Sequence, residues 1–213
     1  MKLAASLTFL STLLTSAIAA TPQPQSAPFR LRITSNSTSN ATQYALPYRT
    51  GAMTFKLTLT NKINFATIWR LNTTTTSSDL GYLTTTAPYK TSDKTSTNTT
   101  TLPFAVTVSP RVGSNVAVLT FAPKTEEEQA GLTVFGIDKN QMLTIDGGDD
   151  DTDGQVLPPK WLGALRRWYT CKAQGYPGGV SSNGDIDVLA WVMGNEKPED
   201  PSCVKVDVRV ELV

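Results

Sequence analysis

Val204-Lys205-Val206-Asp207-Val208-Arg209-Val210-Glu211-Leu212 alternates apolar and charged side chains without a break. A period of two marks a half-buried strand, with Val204, Val206, Val208, Val210 and Leu212 on the buried face and the charged residues on the other. Cys203 falls on the polar side of that alternation, which places it at the strand's entrance. Upstream, Trp168-Tyr169-Thr170-Cys171 and Ala190-Trp191-Val192-Met193-Gly194 read as two more strands of the same meander. Cys171 and Cys203 are the chain's 2 cysteines, and in an oxidising compartment one disulfide between them is expected. Closing that loop stabilises the fold by roughly 3–4 kcal/mol in the chain-entropy model. In a flat sheet with the strands of Cys171, Trp191 and Cys203 side by side in that order, the outer two would lie roughly 9–10 Å apart. A disulfide spans about 7 Å between Cα atoms. Either the sheet curls and closes, or Cys203 lies in the connecting loop.

The compartment is read from the other end. Residues 1–19 combine Lys2, an apolar run from Leu3 to Leu14 and the small residues Ala17 and Ala19, the pattern of a cleaved signal peptide. Residues 20–28 are proline-rich and form a flexible lead-in, and 29–213 is read as a single domain. About 190 residues then remain, enough for one all-β domain with a real core. No lipid-anchor or second membrane signal is visible. A formal net charge of +1, with no cluster of basic residues, disfavours nucleic acid as a partner. With 0 histidines, the chain cannot build a Ser-His-Asp triad, a Cys-His dyad or an imidazole metal site.

Strand-type alternation recurs at Phe29–Thr34, Thr54–Thr60, Leu102–Val108 and Val116–Phe121, and Leu132–Ile137 with Met142–Ile145 forms a hairpin. Phe65–Leu71 is apolar on both faces and reads as a central strand, with Trp69 in the core. Residues 72–101 are dominated by Ser and Thr; only Leu80–Leu83 reads as a strand there, and the rest is expected to be a surface excursion with little packed structure. Thr125 with Glu128 forms a capping box, and Gly131 closes a single helical turn. The fold class is therefore all-β: a single antiparallel barrel or sandwich-like domain with one disulfide and one short helical turn. A trefoil-type barrel fits the strand count, although no internal repeat is visible.

Candidate sites are few. Four sequons place N-glycosylation at Asn36, Asn40, Asn72 and Asn98. Asp149, Asp151 and Asp153 followed by Gly154 match the first half of a calcium loop, whose alternating carboxylates wrap a hard cation. The second half fails, because Lys160 stands where a bidentate glutamate belongs, and a solvated acidic turn, the favoured reading, explains the run without metal. Trp161 and Tyr176 lie outside clean strands and could stack on a sugar ring, whereas Trp168 and Trp191 beside the disulfide read as core. Asp146, Asp185, Asp187 and Glu196 could supply a carboxylate pair, but their spacing selects none. Arg166-Arg167 is a dibasic pair that strand structure would protect from processing.

Trp168-x-x-Cys171, Leu189-Ala190-Trp191-Val192-Met193-Gly194 and Lys197-Pro198-x-x-Pro201-Ser202-Cys203 resemble the C-terminal part of a family of secreted proteins of filamentous fungi, a domain of unknown function. The resemblance implies a fungal, extracellular setting and brings no activity with it. The expected function is a secreted fungal glycoprotein acting as a non-catalytic binding module for a glycan or a protein. The alternatives are an extracellular carbohydrate-active enzyme using an Asp/Glu pair and a structural wall component. No cofactor is expected, apart from calcium if the acidic loop takes it.

Overall fold

The computed structural model describes residues 25–35, 41–49, 55–74, 77–90, 99–110, 114–123, 133–146, 164–174, 185–194 and 197–213. Thirteen strands lie among them: β1 (Phe29–Ser35), β2 (Thr42–Arg49), β3 (Phe55–Thr60), β4 (Arg70–Thr74), β5 (Ser77–Lys90), β6 (Thr99–Pro110), β7 (Val116–Pro123), β8 (Val134–Ile137), β9 (Leu143–Asp146), β10 (Ala164–Leu165), β11 (Trp168–Gln174), β12 (Asp185–Val192) and β13 (Val204–Leu212). A single 3₁₀ turn, Ile63–Phe65, is the one helical element among the described residues. All pairings are antiparallel, and the chain is all-β as expected.

Six strands close a ring. β1 pairs with β13, β4 with β5, β5 with β8 and β8 with β9. Two short bridges complete the circuit. Phe29 and Trp69 exchange backbone hydrogen bonds at 3.0 and 2.7 Å, joining β1 to the start of β4. Met142 bridges Arg209, and Val210 N–H donates to the Gln141 carbonyl at 2.8 Å, joining β9 to β13. Closure removes free strand edges from the ring. Leu31, Ile33, Leu71, Leu83, Phe135, Leu143 and Val208 turn inward and are wholly buried.

The remaining strands form hairpins over one end of this barrel: β2 with β3, β6 with β7, and β11 with β12. Their second strands also pair with one another in a triangle, β3 with β7, β7 with β12 and β12 with β3. The register is three-fold: Lys56 faces Thr120, Val118 faces Ala190 and Val188 faces Thr58. In each pair, the residue before one leucine meets the residue after another. The leucines are Leu57, Leu119 and Leu189, all wholly buried around the pseudo-three-fold axis. Two residues further on, Leu59, Phe121 and Trp191 take equivalent places opposite Ala45, Val106 and Trp168. The fold is the trefoil-type barrel, built from three units in which the first and last strands enter the ring and the middle ones form the cap. In the third unit, β10 and β11 share the second place.

Three expectations are corrected. Phe65–Leu71 is not one central strand: Phe65 ends the 3₁₀ turn and is 64% exposed, and the strand proper begins at Arg70. The chain turns there from cap to barrel, with Thr67 N–H held by the Ala45 carbonyl at 3.2 Å, so only Trp69 and Leu71, at the end of that apolar run, reach the core. The Thr-rich stretch is also more ordered than its polarity suggests. β5 extends well beyond Leu80–Leu83 and pairs along its length with β4, β6 and β8. Threonine is polar but β-branched, so it suits an extended, paired backbone. Finally, only the middle of β13 is buried. Val206, Val208 and Val210 point inward, while Val204 and Leu212 are 42% and 66% exposed. The helical turn at 125–131 lies outside the described residues.

Candidate functional site

Most sequence-derived candidates fall outside the described residues: Asn36, Asn40 and Asn98, Asp149, Asp151 and Asp153, Trp161 and Tyr176, and residues 1–19. Asn72, both cysteines, the two core tryptophans and the dibasic pair can be placed.

The disulfide joins Cys171 to Cys203 with Cα atoms 4.0 Å apart. The side-by-side order weighed from the sequence does not occur, and Cys203 lies in the connecting loop, the second of the two alternatives. β11 lies between β12 and β13, and Tyr169 faces Lys205 while Thr170 faces Val204. One more step along that register brings Cys171 to Cys203, which sits just before β13, at the strand's entrance as its place in the alternation implied. Cys171 is buried with Val116, Ala190 and Val192. The turn leading into Cys203 is fixed by Asp200, whose Oδ1 accepts from Ser202 N–H at 2.9 Å and from its hydroxyl at 2.6 Å. Ser202 Oγ in turn accepts from Lys172 N–H at 3.0 Å. The bond clasps the last barrel strand to a cap hairpin.

Trp168 and Trp191 stack edge to face at 4.9 Å, and Trp168 Nε1 donates to the Leu143 carbonyl at 2.7 Å. They belong to the core. Arg166 sits 3.6 Å from Asp138, Arg167 offers its carbonyl to Val192 N–H at 3.1 Å, and Trp168 is wholly buried. The bond after the dibasic pair is therefore locked into the fold. Among the candidate acids, Asp187 pairs with Lys172 at 2.9 Å on the β11–β12 hairpin. The Asp187 carboxylate, first by hydrogen bonding and then by Coulomb attraction, raises the Lys172 pKa above its ordinary 10.5.

Asn72 lies on β4 between the inward-facing Leu71 and Thr73, opposite Tyr82 of β5. Its Oδ1 accepts from the Thr84 hydroxyl at 3.1 Å. That bond uses the amide oxygen and leaves Nδ2, the atom an N-glycan attaches to, unengaged by it.

The outward side of β2, β1 and β13 forms a polar surface that the sequence reading did not single out. Burial of Leu31 and Ile33 on β1, and of Val208 and Val210 on β13, turns Arg30, Arg32, Arg209 and Glu211 outward. Tyr44, Arg32 and Arg209 form a row across the three strands: Tyr44 faces Arg32, and Arg32 faces Arg209. In adjacent rows, Arg30 faces Glu211 and Thr34 faces Asp207. Tyr44 Oη donates to Glu211 at 3.5 Å, and Arg32 Nη2 donates to the Thr42 hydroxyl at 3.3 Å. The available signal was strand parity, which located the polar faces of both strands but not their adjacency.

Among the described residues no cluster of three or more Cys, Asp or Glu side chains could hold a metal, and no helix is long and apolar enough to cross a membrane. Comparison with known proteins finds no matching family model, curated relative or solved structure.

Proposed function

We propose that this chain is a secreted, N-glycosylated, non-catalytic binding module of fungal origin that takes a glycan or a protein outside the cell. The observation that carries the reading is the outward face of β2, β1 and β13, where arginine, tyrosine and carboxylate side chains stand on a paired, closed barrel. Such a surface offers hydrogen-bond donors and acceptors in fixed positions, so little ordering entropy is lost on binding. The signal-type segment at 1–19, the sequons and the disulfide support an oxidising, extracellular setting. The C-terminal resemblance supports the fungal one.

The test is a glycan array probed with the secreted chain, with and without calcium, beside a pull-down from extracellular material. Specific capture of a glycan or protein, without turnover of it, is the expected result. Calcium-dependent capture would bring the Asp149, Asp151 and Asp153 loop into the site. Turnover of any captured glycan would sink the non-catalytic reading.

A further inference from the structure

The geometry points to an oxyanion-binding site between Arg32 and Arg209, taking a carboxylate or sulfate group of an acidic saccharide. This rests on the binding-module reading and names its ligand class. Arg32 and Arg209 are directly opposed across the β1–β13 pair, and both are exposed. Like charges directly opposite on one face of a sheet destabilise it, and an anion held between them would relieve that repulsion. The surrounding charges do not do so fully. Glu211 lies opposite Arg30 and accepts from Tyr44, and Asp207 lies opposite Thr34. Three guanidinium groups thus share this face with two carboxylates.

The donors suit the task. Guanidinium groups bind planar oxyanions through paired N–H donors. Arg32 spends one donor on the Thr42 hydroxyl, a neutral acceptor that orients the side chain without neutralising it. Arg209 makes no side-chain hydrogen bond or ion pair among the described residues. Tyr44, next to Arg32 in the row, adds an aromatic side chain beside the pair against which a sugar ring could rest. β1 and β13, which carry the two arginines, are pinned by the inward residues Leu31, Ile33, Val208 and Val210, so their backbones keep this register without a ligand.

The experiment titrates the full secreted chain, followed by calorimetry and arginine side-chain NMR, with four probes: an oligogalacturonate, a sulfated oligosaccharide, a neutral β-glucan oligomer and inorganic sulfate. Either anionic saccharide should shift the Arg32 and Arg209 side-chain signals, and the tighter of the two identifies the oxyanion. The replacement Arg209→Gln should weaken that binding about ten-fold or more, as expected for a charge-assisted contact, and binding should fall steeply with added salt. Thermal melts of the free variant check that it folds, and loss of the opposed charge should leave it no less stable than wild type. Binding undiminished in Arg209→Gln would overturn the site. So would neutral glycans binding while both anionic saccharides do not, a result that leaves the binding-module reading intact. Shifts with inorganic sulfate but with neither saccharide would mean an adventitious ion only.

Discussion

Two buried tryptophans show how much depends on a single atom. Trp168 Nε1 donates to the Leu143 carbonyl at 2.7 Å, whereas Trp69 Nε1 is buried with no hydrogen-bond partner. Both rings are wholly buried. Replacing each by Phe removes similar volume, but only Trp168→Phe strands a buried acceptor, at a further cost of about 1–3 kcal/mol. Denaturant unfolding should therefore rank Trp168→Phe as clearly the more damaging. Equal losses would mean that the orphaned indole of Trp69 is satisfied in solution. Lys172 carries the opposite lesson. Its pKa is raised by Asp187, so its contribution is fully present below 10.5 and fades as pH climbs through the raised value. Both partners are exposed, and such pairs contribute little. Lys172→Met should leave the melting temperature at neutral pH nearly unchanged. The sequence made both tryptophans legible as core from their place beside a cysteine and within an apolar run. It could not show which indole found an acceptor, because Leu143 lies on another strand, 25 residues away in the sequence.

At the scale of the element, composition misled where propensity would have served. The Thr-rich stretch was read as unpacked because it lacks large apolar residues, yet β5 alternates Gly81, Leu83 and Thr85 toward the interior. Gly81 is there for space: a Cβ at this position would strike the Asn72 carbonyl on β4. Gly81→Ala should push β4 off β5 and cost about 1–3 kcal/mol, the range for overpacking a filled interior. The melting temperature should fall accordingly. An unchanged melt would show that the two strands can separate freely at that point. Phe65 errs in the other direction. Its apolar neighbours suggested a strand, but its exposure means that Phe65→Ser should change stability by no more than about 0.5 kcal/mol. Strand parity succeeded in β1 and the middle of β13 because each lines the barrel along its length. It failed between residues 65 and 68 because the chain there reverses between cap and ring, and no local pattern reports a reversal.

The three-fold architecture belongs to the whole molecule, and that is why no repeat was visible in the sequence. Equivalent cap positions hold Ala45 with Leu59, Val106 with Phe121, and Trp168 with Trp191. Those pairs differ widely in volume, and a close-packed interior constrains the total volume more tightly than any one side chain. The first unit's small pair is accompanied by Phe55, which stacks on Phe121 at 5.0 Å and meets Phe104 edge to face. The axial residues Leu57, Leu119 and Leu189, by contrast, are alike in all three units. Each should therefore cost a similar 2–5 kcal/mol, roughly, when cut to Ala, although nothing local in the sequence relates them.

The clasp acts on the same scale. Cys171 and Cys203 are 32 residues apart, and the loop they close contains β12, one side of the cap triangle. β13, just beyond the bond, pairs with β1 and bridges to β9, so it is the strand that closes the ring. Its pairing with β11 covers only Tyr169 and Thr170. The disulfide therefore reinforces a seam with few hydrogen bonds of its own. Cys171→Ala with Cys203→Ala should lower stability by about 2–4 kcal/mol, chiefly by freeing the unfolded chain. Below the lowered midpoint, far-UV circular dichroism should still report the same strand content, because the barrel core is independent of the bond. Loss of that signal at room temperature would show instead that the clasp is needed for the ring to close at all.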